Sequence, residues 1–240
     1  MSKCIFGKEE VSYLGHVISK EGVKVDLEKI KSITNWPKPT NISKLRGFLG
    51  LMGYYRRFTR NYVHRTAPLS NLLKKNAFHW NEEAEKCFEA LKGIMSSTPV
   101  LATPDFSKPF VIECDASGYG LGAVLMQDEH PIAFESRKLN KREQLKSTYD
   151  KEMLAIMQAL VKWRQYLLGS KFMIRTDHNS LQYLLQQKTL STEQQKWIEK
   201  IATFDMEIIH KKGKENVVAD ALSRKDEDTT SYSISIAILE

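Results

Sequence analysis

The sequence predicts an α/β fold: a mixed five-stranded sheet flanked by helices, preceded by a β-hairpin and a small three-helix unit. Three observations lead there. Apolar runs of strand length at 110–115, 121–127, 131–137, 171–177 and 206–212 are separated first by turns and then by helical patterns. Upstream of residue 98 the apolar residues recur mainly at helical spacing instead. Between the two regimes lies TPVLATPDFSKPF (Thr98–Phe110), a connector whose three prolines exclude it from a sheet ladder.

VSYLGHVISKEGVKVD (Val11–Asp26) alternates apolar and polar residues and turns at Lys20-Glu21-Gly22, which reads as the hairpin. WPKP (Trp36–Pro39) ends strand structure there. Leu45, Phe48, Leu49, Met52 and Tyr55 then share a helical face, with Arg46, Arg56, Arg57 and Arg60 around it. A short helix follows around Pro68–Leu73. The third begins at Asn81, a good N-cap, with Glu82, Glu83 and Glu85 at its positive end and Cys87, Phe88, Leu91 and Met95 on its apolar side. Beyond the connector, three strands form an antiparallel meander. One long helix from about Ser147 to Leu168 is closed by Gly169. The strand KFMIRTD (Lys171–Asp177) enters a short helix, SLQYLLQQ. EQQKWIEKIATF supplies another helix, MEIIHKK (Met206–Lys212) the last strand, and NVVADALSR the last helix.

The 240 residues are 42% hydrophobic and 27% charged, an ordinary globular composition that can bury substantial cores. Cys4, Cys87 and Cys114 form no CxxC, so neither a disulfide framework nor a zinc site is expected, and a reducing, intracellular setting fits. No apolar run approaches the roughly 20 residues that span a bilayer, and MSKCIFGKEE has no signal-peptide core. The net charge of +7 is unevenly spread: Lys29–Asn81 holds eleven Lys or Arg and no acid. Trp36, Phe48, Tyr54, Tyr55, Phe58 and Tyr62 are interleaved there, a pattern that favours nucleic acid over a merely solvated face.

Asp115 is out of place. It lies in FVIECDASGYGLGAVLMQ (Phe110–Gln127), at the end of a strand that should bury its side chains. Glu152 shares a helix side with Ile156 and Ala159, Asp177 ends FMIRT, and Asp220 is flanked by VVA and AL. Each alone has a plain reading: a partner for a lysine, a helix N-cap, a first-turn acid. Taken together, four carboxylates would repel unless cations hold them or some stay protonated. Oxygen-only ligands suit Mg²⁺ or Mn²⁺, and two such ions can hydrolyse a phosphodiester. Spacing alone does not bring the four acids together.

CDASGYGLGAVLMQ, PIAFESRKL, TYDKEMLAIMQALVKWRQYLLG, FMIRTDHNSL and GKENVVADALSR resemble, in order, the ribonuclease H domain of gypsy-type LTR-retrotransposon Pol polyproteins. Upstream, VSYLGHVIS resembles the primer-grip hairpin of a reverse transcriptase palm. KLRGFLGLMGYYRRF, APLSNLL, FHW and LKGIMSSTPVLATPDFSKPF resemble the thumb and connection. The resemblance covers about residues 3–225 and implies a palm remnant at 1–37, a thumb and connection at 38–104, a ribonuclease H-like domain at 105–226 and an acidic tail at 227–240.

Carried over by position, the resemblance makes Asp115, Glu152, Asp177 and Asp220 the metal-binding carboxylates, with Asp115 bridging two Mg²⁺ ions and SGYG turning into the second strand. His210 matches either a histidine that assists metal release or proton transfer, or a polar strand end. His178 shapes the strand-to-helix turn. Tyr13, His16, Arg46, Arg56, Arg57 and Arg60 are the expected nucleic-acid contacts. The implied activity is Mg²⁺-dependent hydrolysis of the RNA strand of RNA–DNA hybrids, leaving a 5′ phosphate and a 3′ hydroxyl. The alternative is a catalytically silent grip on duplex. An integrase- or transposase-like nuclease fits less well, because Glu152 is on the first helix and a thumb-like unit precedes the domain.

The chain has no YxDD and no Asp-Asp pair, so no polymerase activity is expected from it alone. Its implied partners are an RNA–DNA hybrid, a template–primer duplex and the rest of Pol, meaning fingers, palm and integrase. No membrane is expected among them. Its implied location is the cytoplasm, within virus-like particles where the parent element is active.

Overall fold

In the computed structural model, residues 7–59, 62–178 and 191–210 are described. The N-terminal sheet is a three-stranded antiparallel meander of β1 (Glu10–Tyr13), β2 (His16–Ser19) and β3 (Gly22–Val25). The expected hairpin turn at Lys20–Gly22 is present, and a second turn at Leu14–Gly15 splits the first strand in two. Leu14 is left-handed there (φ 49°), a conformation leucine rarely adopts. Tyr54 Oη donates to the Leu14 carbonyl at 2.8 Å and Tyr55 Oη to that of Gly15 at 3.2 Å. These partners lie forty residues away, and the local mark of the turn is Gly15, whose φ is 77°.

The helical unit contains more pieces than the three expected. Asp26, whose side chain accepts from the Glu28 N–H, starts α1 (Leu27–Thr34). Asn41 caps α2 (Ile42–Tyr54), which buries Leu45, Phe48 and Met52. A 3₁₀ turn (Arg56–Phe58), α3 (Tyr62–Arg65) and α4 (Ala67–Asn71) follow, too short for periodicity to register. Asn81 caps α5 (Glu82–Ser96) with three acids in its first turn, and Cys87, Phe88, Leu91 and Met95 are buried as expected. The connector joins both parts of the fold: Val23 and Leu101 exchange backbone hydrogen bonds at 2.8 and 2.9 Å, and Ala102 N–H donates to the Pro131 carbonyl at 2.8 Å.

The second sheet holds all five expected strands: β4 (Phe110–Ala116), β5 (Gly120–Gln127), β6 (His130–Lys138), β7 (Phe172–Thr176) and β8 (Met206–His210). Their order is β6-β5-β4-β7-β8, with β4, β5 and β6 antiparallel and β7 and β8 parallel to β4. Between β6 and β7 run α6 (Lys141–Gln144), α7 (Thr148–Lys162) and α8 (Arg164–Leu167). α9 (Thr192–Ile201) precedes β8. The single helix expected over Ser147–Leu168 is interrupted at Trp163, whose backbone leaves helical geometry (φ −109°, ψ 20°) while its indole is buried.

On one face of this sheet Phe110, Ile112 and Cys114 pack with Met153, Ile156, Ala159 and Leu160 of α7. On the other, Val111, Val124, Met126 and Phe134 join the core of the helical unit around Phe48, Phe88 and Leu91. At the β6 edge, Val63 N–H donates to Ser136 Oγ at 3.3 Å and Arg57 Nη2 to the Ile132 carbonyl at 3.5 Å. Edge strands expose unpaired backbone groups, and here the 3₁₀ turn and α3 cover them. Among the described residues no helix is long and apolar enough to cross a membrane. The expected helices SLQYLLQQ and NVVADALSR lie outside the described residues.

Candidate active site

β4 is central, buried along six of its seven residues, and covered on both faces. Asp115 is its sixth residue, paired with Gly122 of β5 and 3% exposed. Because β7 runs parallel to β4, its exit lies at the same end of the sheet, and Asp177 is the first residue past it. α7 starts at that end too. Ser147 caps it by accepting from the Asp150 N–H, which places Glu152 (2% exposed) in the second turn. Ala116 N–H donates to Glu152 Oε1 at 3.0 Å. Asp115, Glu152 and Asp177 each bring one carboxylate oxygen within 4.8 Å of the other two.

Buried carboxylates this close destabilise one another unless a proton or cation intervenes. The neighbouring thiol does not change the donor set, because burial, then Glu152, Asp115 and Glu113, push the Cys114 thiol well above its usual range and keep it neutral. What remains is an all-oxygen cluster from three rigid elements, chemistry that fits a hard divalent cation.

His210 ends β8, paired with Thr176, and its Nε2 lies 3.1 Å from the Asp177 carbonyl oxygen. A carbonyl only accepts, so Nε2 carries the proton, and His210 holds the backbone of an acidic residue of the cluster. His178 N–H donates to Thr176 Oγ1 at 3.2 Å, which secures the turn out of β7. Its ring meets Tyr149 edge-on at 5.7 Å. Tyr149 went unremarked in the sequence, where its spacing of three from Glu152 was the available signal. Asp220 and Arg60 lie outside the described residues.

Residues 105–204 match the family model of the RNase H-like domain found in reverse transcriptase. Over 226 residues, 93% of the chain, the sequence is 42% identical to the retrovirus-related Pol polyprotein from transposon 297 of Drosophila melanogaster. Over 238 residues it is 39% identical to that from transposon gypsy of the same organism. Along most of its length the chain is a homologue of gypsy-type Pol polyproteins. This Pol segment spans 21% and 23% of the length of those two relatives. Its fold is that of a foamy viral protease-reverse transcriptase solved with double-stranded DNA, at TM-score 0.77 and 23% identity over 85% of this chain and 38% of that one. The same enzyme solved with an RNA/DNA hybrid gives TM-score 0.75 over 86% of this chain and 30% of that one.

The expected nucleic-acid contacts of the Pol segment sit away from the carboxylates, on the meander and the helical unit. Tyr13, Arg46 and Arg56 are exposed, and Arg57 is half-buried. His16 is stacked on Tyr54 at 5.4 Å and on Phe58 at 5.5 Å, with Tyr55 edge-on. Burial, then the Arg57 charge, lowers its pKa below the usual 6.5. A neutral imidazole enclosed by three aromatic rings is suited to packing the meander against α2.

Proposed function

We propose that this Pol segment hydrolyses the RNA strand of RNA–DNA hybrids with Mg²⁺ as its cation. The observation that carries the reading is the convergence of Asp115, Glu152 and Asp177 from β4, α7 and the end of β7. These three, joined by Asp220, are the residues that would hold the metal. When bound, a pair of divalent cations supplies the Lewis acidity that lowers the pKa of an attacking water and stabilises a departing oxygen. The protein's own contribution is preorganisation. Asp115 is fixed by a central strand, the Ala116 N–H orients Glu152, and the His210 Nε2–H holds the Asp177 backbone. The meander and the helical unit, with Tyr13, Arg46, Arg56, Arg57 and Arg60, grip the duplex through its phosphates without reading sequence, while His16, enclosed by Tyr54, Tyr55 and Phe58, packs the meander beneath them.

A second reading, a silent grip, is favoured by the acid-free basic stretch Lys29–Asn81. One experiment separates the two. With a labelled RNA–DNA hybrid in Mg²⁺, the nuclease reading expects RNA cleavage that falls about a thousandfold or more in Asp115→Asn while hybrid binding persists. Tight binding by the unaltered chain with no cleavage assigns the grip instead. The remaining Pol modules, fingers, palm and integrase, are its proposed partners, and the cytoplasm, in virus-like particles of an active element, its proposed location.

A further inference from the structure

A cleft of about 370 Å³ opens where the 3₁₀ turn meets the β6 edge and the end of α7, between the helical unit and the five-stranded sheet. It is separate from the carboxylates. Lys162, on its wall, is ten residues from Glu152 along α7, a rise of about 15 Å. Its walls carry Arg56, Arg57 and Lys162 against one acid, Glu135, with the aromatic rings of Tyr54 and Tyr166. Lys162 already pairs with Glu135 at 3.3 Å. Among the described residues Arg57 donates from Nη2 to the Ile132 carbonyl at 3.5 Å, which leaves Nη1 uncommitted there. The volume is at the small end of ligand sites, with room for one nucleotide.

We propose that this cleft binds a free mononucleotide, its phosphate on Arg56 and Arg57 and its base against the tyrosine rings. Two guanidiniums and an ammonium supply the charge that selects a phosphate. Tyr54 and Tyr166 are each stacked on one side, on His16 and Phe106, and a ring left open on its other side would supply stacking that tolerates any base. A ligand there bridges the two halves of the molecule, since Arg57 belongs to the helical unit and Lys162 and Tyr166 to the nuclease half. The cleft shares no residue with the carboxylate cluster, so the inference does not depend on catalysis there, although Arg56 and Arg57 are also among the proposed duplex contacts.

The test is calorimetric titration of the intact chain in EDTA, so that metal-dependent binding at the carboxylates does not contribute. The probes are dAMP, deoxyadenosine and inorganic phosphate. The expected result is saturable dAMP binding with a Kd below about 1 mM and at least about tenfold weaker binding of the other two. Arg57→Met and Lys162→Gln should each weaken dAMP by about tenfold, with circular dichroism unchanged. Lys162→Gln keeps the test decisive should Arg57→Met disturb the fold, since Lys162 is on the rim. Absence of saturable dAMP binding overturns the proposal. So does equal binding of deoxyadenosine, or unaltered affinity in a folded Lys162→Gln protein.

Discussion

The backbone N–H of Ala116 donates to Glu152 Oε1 at 3.0 Å, tying the helix acid to the residue that follows Asp115 in the strand. The two acids are therefore held as a pair before any cation arrives. Glu152→Gln keeps an oxygen acceptor for Ala116, whereas Glu152→Ala leaves that N–H unmatched. Both should lose nuclease activity, but only Glu152→Ala should also lose stability, by about 1–3 kcal/mol in chemical denaturation. Equal stability of the two variants would show that the contact contributes nothing.

Crowded acids also set a direction for stability. Without divalent cations, Asp115→Asn removes one charge from a cluster of three and should raise the melting temperature by a few degrees, roughly 1 kcal/mol. Millimolar Mg²⁺ should raise the melting temperature of the unaltered chain and leave the variant nearly unmoved. Thermal scans in EDTA and in Mg²⁺ check both signs.

His16 sets a pH dependence. Its pKa in the folded protein is depressed by burial, then by Arg57, from an ordinary value of 6.5. As pH falls below 6.5, the unfolded chain takes up a proton that the folded chain resists, so stability falls until the folded pKa is passed. Above 6.5 the group contributes no slope. His16→Phe, which keeps a ring among Tyr54, Tyr55 and Phe58, should flatten the stability profile below pH 6.5. Urea titrations at stepped pH read this directly.

The described cysteines should be inert. Burial pushes the Cys87 thiol up to about 11, and burial with three nearby acids raises Cys114 well above the usual thiol range. Iodoacetamide at pH 8 should leave both unmodified in the native protein and modify both in urea, as read by peptide mass mapping. Rapid native labelling of Cys114 would mean that the carboxylate end of the sheet opens easily.

Gly22 marks the join between the meander and the connector. Its φ is +131°, and a Cβ there would come within 2.2 Å of the Leu101 carbonyl oxygen. Gly22→Ala should cost about 2–3 kcal/mol and lower the melting temperature by about 5 °C or more.

Much of this molecule is legible in its sequence, for identifiable reasons. All five strands of the large sheet and α5 follow from alternation, apolar periodicity and an Asn N-cap, because in each case a local pattern and the burial agree. Asp115 betrays itself by polarity where a strand should be apolar. The break at Trp163 is not legible, because a buried indole sits in ordinary helical sequence; at Leu14–Gly15 the glycine is a weak local mark of a turn whose anchoring tyrosines lie forty residues away. The convergence of Asp115, Glu152 and Asp177 follows from β7 running parallel to β4, a relation that spacing does not encode. Buried Glu113 also passed unnoticed; its partner is Arg175, directly opposite it on β7 and sixty-two residues away in sequence.

The full burial of β5 bears on how such a segment can be inherited. Its sheet has α7 on one side and the helical unit on the other, so the two halves are layers of one sandwich rather than beads on a string. A recombination event that moved residues 105–204 alone would bare Val111, Val124, Met126 and Phe134 to water, along with the backbone edge of β6. Any new host for the RNase H-like layer would have to supply an apolar roof of matching shape. The helical layer and the RNase H-like layer therefore depend on each other for the burial of their shared face.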